Sequence, residues 1–307
     1  MSPTAQPQAY ERAAAYAAIM CGATAHAATP STCALSPGDA SEVLVFLDER
    51  PLHTVNLASL VRDNGPVSPL NRGTFYGCRD EDGRLEGVAL VGHAILVEAR
   101  SERAAAAFAR LAQRHAGAHI ILGETAPVEL FWSHYGDGGQ EPRRLCRELL
   151  LEQRWPIEVR EAVPELRLAT ADDLEELLTV HAGLVFDESG VNPLEVDPEG
   201  FRERYLRRVE QGRTWIVTEN GRLLFKAEVY AETPQVTYLE GIYVAPERRG
   251  SGHGLRCLSQ LTRTLLDRSD SVCLLVDELN VAARSFYHKA GYRQRAVYDT
   301  IFLRKEQ

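Results

Sequence analysis

The sequence predicts an α/β protein in which helices flank a sheet and the two halves of the chain follow a similar pattern. Three observations predict this fold class. Apolar runs at residues 214–218 and 223–230 are joined by Asn220-Gly221, which favours a tight hairpin turn between strands. A glycine-rich turn after a further strand opens a leucine-containing helix. In the first half, Asp82-Gly83 between two apolar runs is a second hairpin signal.

The second half begins with helix signals. Thr170 and Asp173 are spaced as a capping box, and Asp197 is followed by Pro198, which suits the first position of a helix. Gly212 is spaced to end that helix. The elements predicted after the hairpin are a strand at 236–244, a helix that contains Leu255 and Leu265, a strand at 272–276, a short helix from about Asn280 and a last strand at 296–303.

The first half shows a weaker version of this pattern. Its predicted elements are strands at 75–78 and 85–97, an alanine-rich helix opened by Ser101, and a strand at 120–122. The segment Asp82-Gly-Arg-Leu85 also parallels Asn220-Gly-Arg-Leu223. We therefore expect a divergent internal duplication, with a chance likeness between two α+β patterns as the alternative.

Length and composition allow two domains, since 307 residues suffice for two compact folds and 45 % of them are apolar. Trp155-Pro156 and Val163-Pro164 break regular structure between the halves. We expect a loosely ordered leader at 1–40, a first domain at 41–155 and a second domain at 164–307.

Charge and cysteine content argue against several classes of function. The net charge of −9 disfavours nucleic-acid and anionic-membrane partners, which require a basic surface. The six cysteines form no C-x-x-C pair, so we expect neither a metal site nor dithiol chemistry. In the leader, Ala25-His26-Ala27 fits a cleavage site, but the apolar run before it is weak and lacks net positive charge. We expect a cytoplasmic protein with reduced thiols.

The strongest chemical signal is the run Val244-Ala-Pro-Glu-Arg-Arg-Gly-Ser-Gly-His-Gly-Leu255, which ends a strand and opens a helix. Its glycines Gly250, Gly252 and Gly254 can adopt positive φ and let a ligand approach the main chain. Successive N–H groups at a helix N-terminus then favour a phosphate anion. Taken alone, such a turn is equally compatible with a purely steric role, because tight strand–helix connections often use glycine.

A second motif follows downstream, Asn280-x-x-Ala-x-x-Phe-Tyr-x-x-x-Gly-Tyr292. It is similar to the N-x-x-A-x-x-F-Y-x-x-x-G-F/Y motif of the GCN5-related N-acetyltransferase (GNAT) superfamily. Arg249-Gly-Ser-Gly-His-Gly254 likewise resembles that family's Q/R-x-x-G-x-G/A pyrophosphate loop. Both motifs occur in the family's order and on the expected elements. The resemblance covers about residues 164–303 and implies the GNAT fold, a mixed and mostly antiparallel sheet flanked by helices.

The resemblance also implies that acetyl-CoA is the cosubstrate. Main-chain groups of the strand at 236–244 would pair with the pantetheine arm where the sheet splays apart. The glycine-rich turn would hold the pyrophosphate, Asn280 would bond near the pantetheine, and Arg284 would reach the nucleotide phosphates. The implied cofactor-binding residues are Ile242, Val244, Arg249, Gly250, Ser251, Gly252, His253, Gly254, Asn280 and Arg284.

Acyl transfer to an amine needs a base, a donor for the developing oxyanion and an acid for the leaving thiolate. Glu240 is the expected base, because family members often have a glutamate on this strand. Glu228 is a second candidate base. The alternative for Glu240 is an exposed glutamate with no catalytic role. The N–H of Val244 is the expected oxyanion donor. Tyr287 matches the tyrosine that often serves as the acid, or is simply an aromatic packed at the strand–helix junction.

The first half departs from the family pattern. Where the turn should lie it has Glu98-Ala-Arg-Ser-Glu-Arg-Ala104, without glycine and with two glutamates that repel a diphosphate. The segment Phe225-Lys-Ala-Glu228 resembles that of tandem bacterial GNAT-like proteins with a degenerate first domain. We expect a first half that does not bind CoA and instead shapes the acceptor cleft or supports the second half. His253 is expected to be a solvent-facing loop residue, and His181 and His288 are expected to be structural or solvated.

Two functions remain open at this point. The favoured one is an enzyme, an N-acetyltransferase that moves acetyl from acetyl-CoA to a primary amine of a small molecule or a protein, by direct attack in a ternary complex. The alternative is a non-catalytic acetyl-CoA sensor that uses the same turn. A purely structural role is disfavoured by the intact turn together with Asn280.

Overall fold

The structure, a computed structural model, describes residues 32–304. Most of the leader expected at 1–40, with its Ala25-His26-Ala27 pattern, lies outside the described residues. The chain forms two compact units, which are not consecutive in sequence. The first contains the described residues up to Glu49, Leu60–Cys146 and the residues from Tyr298; the second contains Arg50–Ser59 and Arg147–Val297.

The first unit is built mainly from the first half of the sequence. Its helices are α1 (Ala40–Asp48), the end of α2 (Pro51–Asn64), α3 (Glu102–Ala112) and α4 (Thr125–Tyr135). The strands of the first half are β1 (Thr32–Ala34), β2 (Gly73–Arg79), β3 (Leu85–Gly92), β4 (Ala94–Ala99) and β5 (Ile120–Glu124). The helix signal at Ser101 is confirmed, because its Oγ accepts the N–H of Ala104 at 3.1 Å and caps α3.

The second unit contains the site region. Its helices are α5 (Leu174–Ser189), α6 (Pro193–Val196), α7 (Pro198–Glu210), α8 (His253–Leu266) and α9 (Val281–Lys289). The remaining strands are β6 (Pro142–Gln153), β7 (Arg167–Leu168), β8 (Thr214–Glu219), β9 (Arg222–Glu232), β10 (Val236–Val244), β11 (Ser271–Asp277) and β12 (Arg293–Leu303). Strands β6 and β12 contribute residues to both units.

The helix boundaries follow the sequence signals closely. Thr170 and Asp173 form the capping box, which opens a short 3-10 turn ahead of α5. The Asp197 carboxylate accepts the N–H of Gly200 at 3.1 Å and caps α7, with Pro198 at its first position. Gly212 has φ +66°, the left-handed conformation that suits the residue after a helix.

The two units have the same strand order. In the first, the order is β1-β2-β3-β4-β5-β12, and in the second it is β7-β8-β9-β10-β11-β6. Each has one parallel pair, β4 with β5 and β10 with β11, and a helix, α3 or α8, makes each crossover. The other pairs given by register are antiparallel. The predicted fold class, a mixed and mostly antiparallel sheet flanked by helices, is confirmed.

Each sheet is completed by a strand from the other half of the sequence. Residues 298–302 of β12 pair with β5, and residues 148–153 of β6 pair with β11. The stretches expected as consecutive domains, 41–155 and 164–307, therefore each supply the last strand of the unit built mainly from the other. The repeated topology supports the internal duplication that the sequence suggests.

One predicted element is wrong. The run 85–97 was expected as one strand and is two, β3 and β4, which pair antiparallel. The chain turns at Gly92-His93, where a Cβ on Gly92 would lie 2.2 Å from the Arg72 carbonyl oxygen, so that only glycine fits. The N–H of His93 then donates to that same carbonyl at 2.8 Å.

Two apolar clusters support the sheet of the second unit. One packs the buried face of α8, including Leu258, Leu261 and Leu265, against strands β9 to β11. The other packs α5 and α7, through Leu177 and Phe201, against β8 and β9. The site described below therefore lies on strands that are fixed by packing. No helix within residues 32–304 has the length and apolarity needed to cross a bilayer.

Candidate active site

The parallel strands β10 and β11 separate part-way along their length. Their register runs from Val236 opposite Ser271 to Leu239 opposite Leu274, and it ends there. Both strands continue, β10 to Val244 and β11 to Asp277. The main-chain groups on the facing edges of these continuations lose their partner strand, which leaves them available to a ligand.

The orientation of Val244 follows from its neighbour. The N–H of Ala245 donates to the Leu224 carbonyl, on the β9 side, at 2.9 Å. Successive residues of a strand send their main-chain groups to opposite edges, so the N–H and C=O of Val244 face the opening. The carbonyl accepts the Arg249 Nε–H at 3.0 Å, and the N–H remains directed at the opening.

A β-bulge lies at the start of this opening. Glu240 pairs with Glu228 and Tyr243 with Lys226, so β10 has one residue more than β9 between these pairs. Gly241, inside the bulge, has φ +58°, and a Cβ there would lie 2.8 Å from Lys226 Nζ. Lys226 also donates to the Gly241 carbonyl at 3.1 Å. Glycine is required at this position for both conformation and space.

The glycine-rich turn follows β10 directly. Gly250 has φ +74° and Gly252, the N-cap of α8, has φ +80°, as predicted for two of the three glycines. Gly254 differs from the prediction, because its φ is not positive. It lies in the first turn of α8, where a Cβ would lie 2.5 Å from Val244 Cγ2. Gly254 therefore serves the close approach of helix and strand, which is the steric role.

The main-chain N–H groups of this turn are mostly unused. Within the described part of the chain, no acceptor is found for the N–H of Gly252, Gly254 or Leu255. The N–H of His253 makes only a long contact, 3.4 Å, to Ser251 Oγ. These groups lie at the N-terminus of a 14-residue helix with no side-chain cap. Such an end attracts anions through its N–H groups and the helix dipole.

The arginines near the turn are engaged by protein groups. Arg249 donates to the Val244 carbonyl, and Arg248 forms an ion pair with Glu219. Arg284, expected at the nucleotide phosphates, donates to the Glu278 carbonyl at 2.8 Å. All three are surface side chains that can exchange such contacts for a phosphate at small cost.

His253 differs from the expected solvent-facing loop residue. It is the first residue of α8, and its Nε2 lies 3.5 Å from Cys257 Sγ. Partial burial, with nearby Arg256 and Arg248, lowers its pKa. The ring is therefore neutral at pH 7, and of this residue only the main chain is suited to an anion.

Asn280 and Tyr287 lie at the start and near the end of α9. The Asn280 carboxamide oxygen accepts the N–H of Ala283 at 3.0 Å and caps the helix, so its amide N–H groups are the donors left for a ligand. Tyr287 is buried and packs edge-on against Tyr292, with ring centroids 6.2 Å apart. No hydrogen-bond partner is found for its hydroxyl in the described chain. Burial raises its pKa, so the hydroxyl stays protonated.

Glu240 carries the most unusual carboxyl of the site. It is partly buried and has neither a hydrogen bond nor an ion pair among residues 32–304. Burial and the neighbouring carboxylates Glu188 and Glu228 raise its pKa to about 8, against the opposing effect of Arg208 and Lys226. A carboxyl with this pKa can exchange a proton near neutral pH.

Glu228, the other candidate base, is enclosed by cations. Its buried carboxylate forms ion pairs with Lys226 and Arg208 and accepts the Tyr205 hydroxyl at 2.9 Å. Burial by itself raises the pKa of Glu228, but Lys226, His181 and Arg208 outweigh it, and the pKa is lowered. A carboxylate held this firmly is a poor proton acceptor, so Glu228 is a structural counter-ion.

His181 completes this cluster as a neutral ring. It stacks on Phe201 at 5.4 Å and its Nδ1 lies 3.4 Å from both Glu228 Oε1 and Lys226 Nζ. Burial lowers its pKa to about 3, although Glu228 opposes the shift. The structural role expected from the sequence therefore fits His181. Among the described residues, no group of three His, Cys, Asp or Glu side chains could hold a metal ion.

Two residues of this region were missed by sequence reasoning. The Tyr205 hydroxyl binds Glu228, and Arg208, one turn later on α7, binds the same carboxylate. The signal available in the sequence was their spacing of three residues on one helix. Their common target, Glu228, could not be identified before the sheet register was known.

The first unit lacks an equivalent turn. Only Arg100 and Ser101 separate β4 from α3, whereas eight residues separate β10 from α8. The N-terminus of α3 is capped by Ser101 Oγ. Glu98 is buried and pairs with Arg100, whose guanidinium also lies over the Phe46 ring at 4.8 Å. The described residues of this connection therefore offer no glycine turn to a diphosphate.

The geometry of the second unit is consistent with the match of its sequence to one protein family. Residues 181–292 match the model of the acetyltransferase (GNAT) family. The second half contains a GNAT domain. That stretch includes the bulge, the glycine-rich turn, Asn280 and Tyr287. No curated protein shows significant sequence similarity to this chain.

Solved structures share the fold over most of the chain. A Drosophila protein is similar with a TM-score of 0.66 and 14 % identity, over 90 % of this chain and 99 % of its own. A GNAT-family acetyltransferase from Colwellia psychrerythraea has a TM-score of 0.55 and 14 % identity, over 89 % and 100 %. A tandem GNAT protein from the clavulanic acid biosynthesis pathway has a TM-score of 0.55 and 13 % identity, over 91 % and 100 %.

Proposed function

We propose that the second unit is an acetyl-CoA-dependent N-acetyltransferase that acts on a primary amine. One observation carries this proposal, the uncapped N-terminus of α8 beside the opening between β10 and β11. Free N–H groups at Gly252 and Gly254 suit a diphosphate, and the edge of β10 at Val244 suits the amide groups of a pantetheine arm. The GNAT match over residues 181–292 supports the same ligand.

The fit extends to the remaining implied residues. Gly250 and Gly252 keep the turn open at positive φ, and nothing lies within 4 Å of a Cβ at Gly250. Ser251 and His253 contribute main-chain N–H groups, and Ile242 precedes the exposed edge of Val244. Asn280 retains its amide donors, and Arg249 and Arg284 are exposed cations that can pair with phosphate groups. Acetyl-CoA would supply the activated acetyl thioester.

Proton transfer is proposed for Glu240 and Tyr287. As the amine nitrogen bonds to the acetyl carbon, Glu240 accepts one proton from that nitrogen. As the carbon–sulfur bond breaks, the Tyr287 hydroxyl gives its proton to sulfur and regains one from solvent. The Val244 N–H stabilises the negative charge on the acetyl oxygen. From the neutral amine, the products are an N-acetyl amide and the CoA thiol, and Glu240 returns its proton to solvent, so no proton is gained or lost. An acceptor that arrives as an ammonium ion loses one further proton to solvent before its nitrogen attacks.

A positively charged acceptor fits the charges near Glu240. The carboxylates of Glu188 and Glu228 are close enough to influence its pKa, and both raise it. An ammonium group that approaches Glu240 reduces the repulsion between Glu240 and these two carboxylates. Glu240 can then accept a proton from that group. The acceptor is therefore proposed to arrive as an ammonium ion and to be deprotonated in the site.

The pKa of Glu240 also favours a second candidate function. With a pKa of about 8, most Glu240 carboxyls are protonated at pH 7, so the domain at that pH binds the cosubstrate with little base present. A non-catalytic acetyl-CoA sensor would behave in this way. Catalysis and sensing differ in whether acetyl transfer appears once Glu240 ionises.

The deciding experiment is acetyl transfer at pH 9 with a panel of primary amines. The expected result is amine-dependent release of CoA thiol together with an N-acetyl product by mass spectrometry, reduced about a hundredfold or more in Glu240→Gln. Glu210→Gln, an exposed glutamate on α7, is the control and should match wild type. CoA binding without any acetylated product at pH 9 would instead identify the sensor.

A further inference from the structure

Arg208 lies close to the proposed base. Its Nη1 binds Glu228, and Glu228 is the residue directly opposite Glu240 in the register of β9 and β10. Cross-strand partners in an antiparallel pair point to the same face of the sheet, with Cβ atoms about 5 Å apart. The guanidinium and the Glu240 carboxyl are therefore neighbours on one face.

The Arg208 guanidinium has N–H donors that make no hydrogen bond within residues 32–304. A guanidinium carries five N–H donors, and Arg208 uses only Nη1, toward Glu228, within residues 32–304. Its side chain is 22 % exposed and its charged carbon lies 5.1 Å from the centre of the Tyr230 ring, which is itself 44 % exposed. The remaining donors can therefore reach a ligand that rests beside Tyr230.

Lys226, unlike Arg208, cannot reach a ligand at the surface. Its side chain is fully buried, and its ammonium group contacts the Glu228 carboxylate, His181 Nδ1 and the Gly241 carbonyl. Since this buried lysine already pairs with Glu228, neutralising that carboxylate does not by itself require a second cation. Arg208 is the part-exposed member of the cluster, which gives it a surface role besides the structural one.

An unpartnered carboxyl and a guanidinium with unused donors thus lie side by side, at Glu240 and Arg208. We propose that the acceptor is an amino acid, whose amine approaches Glu240 while its carboxylate is bound by Arg208. This inference rests on the proposed function for the identity of the reacting amine. Guanidinium groups bind carboxylates through two parallel N–H bonds, which fixes orientation as well as adding affinity.

The test compares free amino acids with the matched amines that lack only the carboxylate, such as phenylalanine with phenethylamine and lysine with cadaverine. Direct binding is measured by calorimetry with CoA-saturated protein, so the result does not depend on turnover. At least one amino acid should bind, and should bind ten- to a hundredfold more tightly than its matched amine. Equal or tighter binding of the amines, or no binding of any amino acid, would overturn the inference.

Variants separate recognition from folding. Arg208→Gln should abolish the preference for the carboxylate, and Arg208→Lys should reduce it while it keeps the charge beside Glu228. Arg207→Gln, an exposed neighbour on the same helix, is the control and should leave the preference intact. An unchanged preference in folded Arg208→Lys would overturn the inference. Acetyl transfer to amines without this preference would do the same, and it would leave the proposed N-acetyltransferase activity standing.

Discussion

Glu240 lies directly opposite Glu228 in the sheet, and the pKa values of the two carboxyl groups shift in opposite directions. Glu228 is surrounded by Lys226, Arg208 and His181, and its pKa falls. Glu240 is partly buried next to that carboxylate and Glu188, and its pKa rises to about 8. Two neighbouring carboxyl groups whose pKa values shift in opposite directions commonly have different roles. Here Glu228 is a fixed counter-ion and Glu240 is the proposed proton acceptor.

The pH dependence of the reaction tests the role of Glu240. Since the base acts only when ionised, kcat/KM should rise with pH and level off above about 8, the pKa of Glu240. The acceptor for this measurement is an amine whose own pKa lies well below 8, so that its ionisation does not contribute. Glu240→Gln should lose the rise as well as most of the rate. A rise that persists in Glu240→Gln would assign the titration to another group.

Tyr287→Phe removes one hydroxyl from the core. Because no partner is found for that hydroxyl among the described residues, the free energy of unfolding should change little, while kcat falls about a hundredfold and CoA affinity is retained. Tyr292→Phe is the matched control. Its hydroxyl bonds to Thr262 at 2.8 Å, so its loss should cost about 1 kcal/mol of stability and leave kcat unchanged. Equal kcat values for Tyr287→Phe and Tyr292→Phe would show that Tyr287 has a packing role and no role in proton transfer.

Gly252→Ala tests the conformation of the turn. At φ +80° an alanine costs about 1–2 kcal/mol, which either destabilises the turn or rotates its N–H groups away. CoA affinity should therefore fall about tenfold. Gly183→Ala, at an open and exposed position in α5, should instead raise stability by about 1 kcal/mol and leave CoA affinity unchanged. Titration of both variants with CoA distinguishes the turn from a general effect on folding.

Lys226→Met tests the buried ion pair. Removing Lys226 leaves the buried Glu228 carboxylate with Arg208 as its remaining ion-pair partner, so the loss should be about 3 kcal/mol, the lower end of the range for breaking a buried pair. Adding Glu228→Gln to Lys226→Met should restore much of this loss in urea unfolding. The pKa of Glu228 is lower in the folded state, so wild type gains this stability above pH 4.5 and loses it as pH falls further. Additive losses in the double variant would show that the pair is not coupled.

The elements predicted well from the sequence are those whose ends are marked by proline, glycine or helix-capping residues. Proline and the capping residue Asp197 marked the start of α7, Asn220-Gly221 marked the β8–β9 hairpin, and the strand at 236–244 has the bounds of β10. Such signals act over a few residues, so they can be recognised without knowledge of the fold. The turn at Gly92-His93 was missed because its cause is the approach of Arg72, a contact distant in sequence.

The long-range part of the site could not be predicted in the same way. The pairing of β6 with β11, and of β12 with β5, exchanges strands between the halves, and no local pattern encodes that choice. The same limit applies to Arg208, whose partner lies on another element. The candidate residues Glu240 and Tyr287 were proposed from a family pattern, and their roles stay predictions until activity is measured.

Calorimetric titration of the whole protein with CoA and with pantetheine, which lacks the diphosphate and the adenosine 3′-phosphate, tests whether the start of α8 binds the cofactor. If the N–H groups at residues 252–255 bind the diphosphate, CoA should bind about a hundredfold more tightly than pantetheine, because charge-assisted hydrogen bonds contribute about 1.5–3 kcal/mol each. Equal affinity for the two ligands, or no heat of binding with millimolar CoA, would contradict the account.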